Sequence, residues 1–298
     1  MNQEQHTSLT GIPVFFRPEM VADAASRVSP SAAKPAQAVA DWIAHDLPVD
    51  VRDFDPVDEA TLALAHDPQF VRGVLAGTLD NGFGNRLPQV AASLPFTSGA
   101  MLAAAREALA NGQAACAPVS GFHHAGRAFA HGFCTFNGLL VAALALRAEG
   151  RVQRVAILDL DHHFGDGSHD IVRGLGLHWV TLTGTGPHPP RASQAQAYLR
   201  RLPTIVSALA DHDLLLYQAG ADAHVDDPLG GWMSSEQLAR RDQIVFEVAA
   251  TVGLPVAWNL AGGYQRDAAG GIEPVLALHR QTLRACADVH VHGRIGIA

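Results

Sequence analysis

The sequence predicts an α/β fold, a mostly parallel, doubly wound sheet with helices on both faces. Three observations predict it. Short apolar runs alternate with helical stretches along the chain, the order that builds βαβ units. No internal repeat, low-complexity tract or linker interrupts that alternation, so one domain is expected over residues 13–298, behind a flexible tail of residues 1–12. Four of the strand ends carry unusual polar residues: His123-His124, Asp161 with His163, Asp222, and Tyr264. In open α/β sheets ligands bind at the carboxyl ends of strands, so these four places are expected to meet in one pocket.

Taken in order, Pro13-Val-Phe-Phe16 is a short strand candidate, and the prolines of residues 29–35 mark a loop. Residues 36–47 carry helical periodicity, with Val39, Trp42 and Ile43 expected on the buried face. Residues 49–54 alternate like a strand. Residues 58–66 and 67–75 read as two short helices, the second started by Asp67-Pro68. Residues 77–93 read as a long loop holding Asn81-Gly-Phe-Gly-Asn85, and Thr97 or Ser98 as the cap of a helix to about residue 110. A strand is expected at 114–119, a loop at 126–135, and a helix from the cap Asn137 to residue 148. Strands follow at 152–158 and 179–183, a helix at 193–210 bent at Pro203, and a buried strand at 214–218. Ser234-Ser-Glu-Gln237 is a capping box opening a helix to residue 251. A last strand at 255–260 and a last helix at 272–287 complete the chain.

The stretch Asp159-Leu-Asp-His-His-Phe-Gly-Asp-Gly167 dominates the chemistry. It crowds three carboxylates and two imidazoles behind a buried strand, and unpaired burial of such groups costs several kcal/mol each, on the order of what a mutation can destroy. A metal site with supporting acids explains them most simply. On a strand, Asp159, Asp161 and His163 would share a face. An Asp-x-His pair mixes a carboxylate with an imidazole and suits zinc or another borderline transition metal. Asp222 is the preferred third ligand because it lies nearest its strand end; His224, Asp226 and Asp227 compete for that role. Asp159 and Asp166 are then free to orient one imidazole each of His123 and His124, the way a general base beside a metal is built. Tyr264, after Gly262-Gly263, can donate to a developing oxyanion.

Composition narrows the class. A net charge of −8 argues against a nucleic-acid-binding surface. The three widely spaced cysteines, Cys116, Cys134 and Cys286, are no disulfide framework and suggest a reducing cytosol; Cys134 is expected to be an inert buried thiol. The polar start Met1-Asn-Gln-Glu-Gln-His lacks the basic and apolar regions of a signal peptide, and no apolar run is long enough to span a bilayer. A cytoplasmic protein without membrane contact is expected.

Together, Ser120-Gly-Phe-His-His124, Gly132-Phe-Cys-Thr-Phe-Asn137, the Asp159–Gly167 stretch, Gly220-Ala-Asp222 and Gly262-Gly-Tyr264 resemble the zinc-dependent histone deacetylase family, with its bacterial relatives that act on acetyl-lysine, acetylpolyamines or other acylated amines. The resemblance runs from about Ser98 to Tyr264. It implies the arginase–deacetylase fold and hydrolysis of an acyl-amine bond by metal-activated water. It implies one zinc held by Asp161, His163 and Asp222, His124 as general base held by Asp166, His123 as its partner held by Asp159, and Tyr264 polarising the carbonyl. Phe133 would form one wall of an acyl-lysine tunnel, with Gly132, Leu229 and Gly262 also substrate-binding. The resemblance further allows a structural monovalent cation near Asp159 and an oligomer. Departures are His162, where the family commonly has an apolar residue, Phe164, where it often has a second histidine, and Thr181-Leu-Thr-Gly-Thr-Gly-Pro187, shorter than the usual loop carrying the opposite aromatic wall. Two other readings stand beside this one: an arginase-like binuclear manganese hydrolase, and a non-catalytic acyl-amine-binding protein that kept the pocket.

Overall fold

The computed structural model describes residues 9–23 and 29–296. Its strands are β1 (Ile12–Phe15), β2 (Val49–Arg52), β3 (Ala114–Ala117), β4 (Val155–Asp159), β5 (Val180–Gly184), β6 (Leu214–Gln218) and β7 (Val256–Asn259). The helices are α1 (Lys34–Ala44), α2 (Glu59–Leu62), α3 (Pro68–Leu75), α4 (Pro88–Asn111), α5 (Gly138–Ala148), α6 (Asp166–Gly174), α7 (Ala195–Ser207), α8 (Ser235–Thr251) and α9 (Glu273–His290). The seven strands form one sheet in the order β2-β1-β3-β7-β6-β4-β5, and every pairing is parallel.

Alternation along each strand builds two cores. Ala115, Val155, Ile157, Leu214 and Leu216 point to the side covered by α4 and α5, where Met101, Leu139 and Leu140 are buried. Cys116, Ala156, Leu158, Leu215, Tyr217 and Trp258 point to the other side, against Trp42, Leu202, Phe246 and Leu283 of α1, α7, α8 and α9. Each large side chain so buried contributes roughly 1.5–3 kcal/mol. The register is what matters for function. Ala117 pairs with Asn259, Asn259 with Gln218, and Gln218 with Asp159. The four adjacent strands β3, β7, β6 and β4 therefore end flush, and the four polar motifs leave the sheet at one level.

Local signals place most boundaries. Asp58 and Asp67 cap α2 and α3, Asn137 accepts from Leu140 N–H at the head of α5, and the Ser234 capping box opens α8. Four expectations change. Residues 88–93 are helical, because Pro88 starts α4 in the first turn, where a missing N–H costs nothing. The helix runs on through Pro95, so Thr97 and Ser98 are interior and cap nothing; Thr97 Oγ1 instead donates to the Leu94 carbonyl at 3.0 Å. Ile43 lies on the solvent side, 55% exposed, while Val39 and Trp42 are buried as expected. The glycine-flanked Asp166-Gly-Ser168 opens α6, a helix the sequence did not suggest; Asp166 in its first turn suits the dipole. Residues 1–8 of the expected tail lie outside the described residues; Leu9 N–H donates to the His290 carbonyl and Ile12 already belongs to β1. No helix among the described residues is long and apolar enough to cross a membrane.

His66, His279 and His290 are buried away from the strand-end motifs or beneath them. His66 Nδ1 donates to the Gly126 carbonyl and Nε2 accepts from Asn137 N–H, both at 2.8 Å, so a neutral ring ties the 126–137 loop to α5. Burial pushes His66 and His290 down to about 4 and His279 well below its ordinary value. The unfolded chain takes up these protons near pH 6.5 and the folded chain only near 4, so stability falls as pH drops through that window. His290 tests this singly. In His290→Leu, the pH dependence of the unfolding free energy between about pH 6.5 and 4 should flatten by one histidine's share, about 1.4 kcal/mol per pH unit. Wild-type and variant profiles that stay parallel would show that His290 is protonated in the folded chain.

Candidate active site

The turn after β4 brings Asp161 and His163 against Asp222, which follows β6; one ligand-type atom from each lies within 4.8 Å of the others. His163 Nδ1 is 2.9 Å from Asp222 Oδ2 and 3.3 Å from Asp161 Oδ1. Backbone donors complete the carboxylates: Gly262 N–H reaches Asp161 Oδ2 at 2.8 Å, His163 N–H reaches Asp161 Oδ1 at 3.0 Å, and His162 N–H reaches Asp222 Oδ1 at 3.1 Å. The first of these needs glycine, because a Cβ on residue 262 would stand 2.4 Å from Asp222 Oδ2. β4 ends at Asp159, so strand alternation does not carry on to Asp161 and His163; the turn itself brings them round, and Asp159 faces elsewhere.

The electrostatics of this trio suit a cation. Asp161 and Asp222 are both almost wholly buried. Burial, then the Asp161 charge, pushes the Asp222 carboxyl up to about 7. Burial opposes ionisation of Asp161 as well, but the His123 charge and His163 hydrogen bonds hold it well below the usual range. Hydrogen bonds to Asp161 and Asp222 raise His163 to about 10. Two carboxylate oxygens and one imidazole nitrogen converge here. Those donors fit a divalent borderline metal with open coordination positions.

Beside the trio stand two carboxylate-backed histidines. Asp159 Oδ2 is 2.7 Å from His123 Nδ1, and Asp166 Oδ1 is 2.6 Å from His124 Nδ1. The environments separate them. Burial works against charge on His123, yet Asp159 and Asp161 hold it up at about 9. Burial and the neighbouring His123 charge lower His124 despite Asp166. The two imidazoles therefore differ in proton affinity.

Tyr264 and Phe133 close the site, their rings 5.7 Å apart. Tyr264 N–H is pinned by Asp227 Oδ2 at 2.8 Å, and burial first, then the Asp161 and Asp222 charges, raise the phenol so that it keeps its proton. Phe133 adopts φ 65°, a conformation rare for a bulky residue, directly after Gly132 at φ 56°. A Cβ at Gly132 would meet the His124 ring at 2.5 Å, so glycine lets this loop fold over the imidazole. Leu229 is exposed on the turn that Asp227 caps through Leu229 N–H. Of the residues that competed with Asp222, Asp227 serves Tyr264, buried His224 faces Ser235 Oγ at 3.0 Å, and the Asp226 carboxylate lies 3.9 Å from His224 Nδ1, which accepts from Asp226 N–H at 3.2 Å. Cys134 is buried and free, with its thiol pushed up by burial.

Sequence reasoning missed four contributors. His131 Nε2 lies 2.8 Å from Asp166 Oδ2, opposite His124, so one carboxylate serves two rings; with Asp166 and His124 it forms a second group able to hold a metal. Phe83, from the Asn81–Asn85 loop, packs on Phe133 at 5.7 Å, and Phe133 N–H donates to the Gly82 carbonyl at 2.9 Å. The odd glycine pattern of that loop was the available signal. Lys34 is fully buried and donates to the Ala261 carbonyl at 2.6 Å; burial lowers its ammonium to about 8 against the raising pull of Asp222 and Asp161. The fourth is the part played by Asp227, named from the sequence only as a rival ligand and found holding Tyr264 N–H. A cleft lined by His163, Phe164, Thr183, Gly184, Thr185, Gly186 and Pro187 opens on the side of the shortened loop.

Residues 29–175 and 186–275 match the profile of the histone deacetylase domain; the interval between the two segments covers β5 and the start of the short loop. The chain is 31% identical over 260 residues to an uncharacterized protein of Picosynechococcus sp., covering 78% of this chain and 83% of that one. It is 30% identical to the "Probable deacetylase" of Methanothermobacter thermautotrophicus over 59% of this chain and 60% of that one. In fold it is similar to the crystal structure of acetylpolyamine aminohydrolase from Burkholderia pseudomallei, with a TM-score of 0.71 and 22% identity over 93% of this chain and 99% of that one.

The Gly262 contact yields a direct test. Gly262→Ala forces either Asp222 or the 261–264 turn to move, breaking the bond to Asp161. Divalent-metal affinity, measured by competition with a chelator, should fall roughly 10–100-fold, the scale for lost supporting contacts at metal sites. Unchanged affinity would mean that Asp161 and Asp222 do not share a metal.

Proposed function

The chain belongs to the histone deacetylase domain family, and from that membership we propose that it is a zinc-dependent amidohydrolase which removes an acyl group, acetyl foremost, from a lysine side chain, a polyamine or another amine. Family and relatives support acyl-amine hydrolysis. The observation that carries the finer reading is the Asp161–His163–Asp222 trio flanked by two carboxylate-backed histidines with opposite proton affinities. Residues 13–298 are proposed to act as one catalytic domain.

Zinc held by Asp161, His163 and Asp222 would supply Lewis-acid polarisation of the carbonyl and lower the pKa of a water. The protein's own groups do the rest. His124, whose environment favours the neutral ring, accepts the proton of the attacking water, and Asp166 fixes its tautomer and steadies the resulting charge. His123, backed by Asp159, keeps positive charge near the addition centre. Tyr264, held as a phenol, donates a hydrogen bond to the developing oxyanion. Protonation of the departing amine by a histidine completes hydrolysis. Phe133 offers one apolar wall, with Gly132 and Gly262 admitting backbone closely and Leu229 on the rim. The binuclear alternative is less well supported: Asp159 already accepts from Gln218 Nε2 and Asp161 N–H besides its contact with His123, and the His124–His131–Asp166 group is closed by contacts between its own members.

The short loop bears on substrate choice. Phe83 packs on Phe133, and residues 183–187, Thr-Gly-Thr-Gly-Pro, hold no aromatic residue where the family loop carries the opposite wall. Each methylene left in water forfeits up to about 0.8 kcal/mol. Zinc-loaded protein assayed on acetyl-lysine peptides, acetylpolyamines and longer acyl-lysine peptides should hydrolyse acyl amines, with weak KM for simple acetyl-lysine peptides and comparatively better kcat/KM for bulkier groups. No turnover on any member would favour a binding protein, and tight acetyl selectivity would mean another segment closes the tunnel. Tyr264→Phe should retain zinc but lose roughly 10²–10³ in kcat, the scale for one oxyanion donor; an unchanged kcat would make Tyr264 a packing residue.

A further inference from the structure

Behind the two buried carboxylates lies a cation that this chemistry does not use. Arg241 of α8 is 2% exposed. Its Nη1 donates to the Leu160 carbonyl at 3.1 Å and to the Gly220 carbonyl at 2.8 Å. Leu160 immediately precedes Asp161, and Gly220 stands two residues before Asp222. One guanidinium nitrogen therefore bridges the two turns that deliver the two carboxylates. The guanidinium is itself fixed. Its Nε donates to Asp242 Oδ1 at 2.7 Å, the Tyr217 hydroxyl of β6 donates to the same oxygen, and Thr282 Oγ1 of α9 donates to Oδ2 at 2.6 Å.

A buried ion pair is poor evidence for stability, since desolvation consumes most of the attraction, and its better-attested use is to specify geometry. Here the geometry it specifies is the spacing of two turns whose carboxylates repel each other. Arginine suits this and lysine does not, because a planar fork can hold Asp242 and both carbonyls at once.

We infer that Arg241 is a positioning residue for the metal site: it fixes the separation of Asp161 and Asp222 and places a permanent positive charge behind them. The inference rests on reading Asp161, His163 and Asp222 as metal ligands. Supporting contacts of this kind change metal affinity by roughly 10–100-fold when removed.

The test uses the full chain and zinc itself. Zinc affinity is measured by chelator competition, and the thermal midpoint is measured with EDTA and with saturating zinc, for wild type, Arg241→Lys, the charge-free pair Arg241→Met with Asp242→Asn, and Asp222→Ala. Both Arg241 variants should bind zinc roughly 10–100-fold more weakly. The rise in midpoint on adding zinc should shrink in step, since stabilisation by a ligand follows its affinity. Wild-type zinc affinity in the Arg241 variants, with midpoints lowered equally in both states, overturns the inference and leaves an ordinary core ion pair. Asp222→Ala separates the two readings. If it loses zinc while the Arg241 variants keep it, only the role of Arg241 falls; if it keeps zinc, the ligand assignment falls and takes this inference with it. Should the Arg241 variants not fold, Thr282→Val, which removes one bond from Asp242 and leaves Arg241 in place, carries the comparison: a several-fold loss of zinc affinity supports the inference and an unchanged affinity overturns it.

Discussion

Two carboxylates that repel each other in a dry place, Asp161 and Asp222, constrain most of what surrounds them. Neither is solvated, and burial alone drives both toward protonation. Positive charge and hydrogen-bond donors gather on them: His163 between them, three backbone N–H groups, His123 to one side, and Arg241 on the carbonyls of the turns behind. These contributions come from β3, β4, β6, β7 and α8, so the parallel sheet is the part of the fold that cannot be altered without disturbing the site. The flush register of the four central strands brings the motifs to one height. The topology then needs only short turns to make them converge.

Much of this was legible in the residues. The flush strand ends were foreshadowed by the polar residues that follow each buried run, because a carboxylate or imidazole directly behind an apolar strand is costly unless a partner or a metal holds it. Counting acids not needed elsewhere left Asp159 and Asp166 to orient one imidazole each; the family resemblance implied which holds which, and the observed contacts have that arrangement. Helix starts with a local chemical cause, such as the Ser234 box or the Asp67 cap, were equally readable.

What could not be read is what depends on contact across the fold. Pro88 lay in the expected loop and Pro95 ahead of the expected cap, yet α4 accommodates both, one in its first turn and one within a helix packed on α5. Ile43 follows Trp42 by one position, and only packing against α9 decides which of them is buried. Arg241 and Lys34 carry no local signal: Arg241 is the second of two adjacent arginines, Lys34 stands in the proline-marked stretch 29–35, and the meaning of each lies in carbonyls far away in sequence. Phe83 belongs with them, since nothing in the Asn81–Asn85 loop names Phe133 as its partner.

The site combines rigid and open sides, and the division has a physical origin. The metal-ligand side is built from strand ends locked by main-chain bonds and a buried ion-pair network, where a small shift breaks several contacts together. The opposite side is built from a short run, Thr183 to Pro187, whose Thr185 hydroxyl makes one long contact, 3.4 Å, to the Asp161 carbonyl. In the proposed reaction, chemistry at the carbonyl depends on the first side and recognition of what is attached to it on the second. The departures from the family pattern fall accordingly: His162, Phe164 and the shortened loop lie around the ligands, and none of them replaces one.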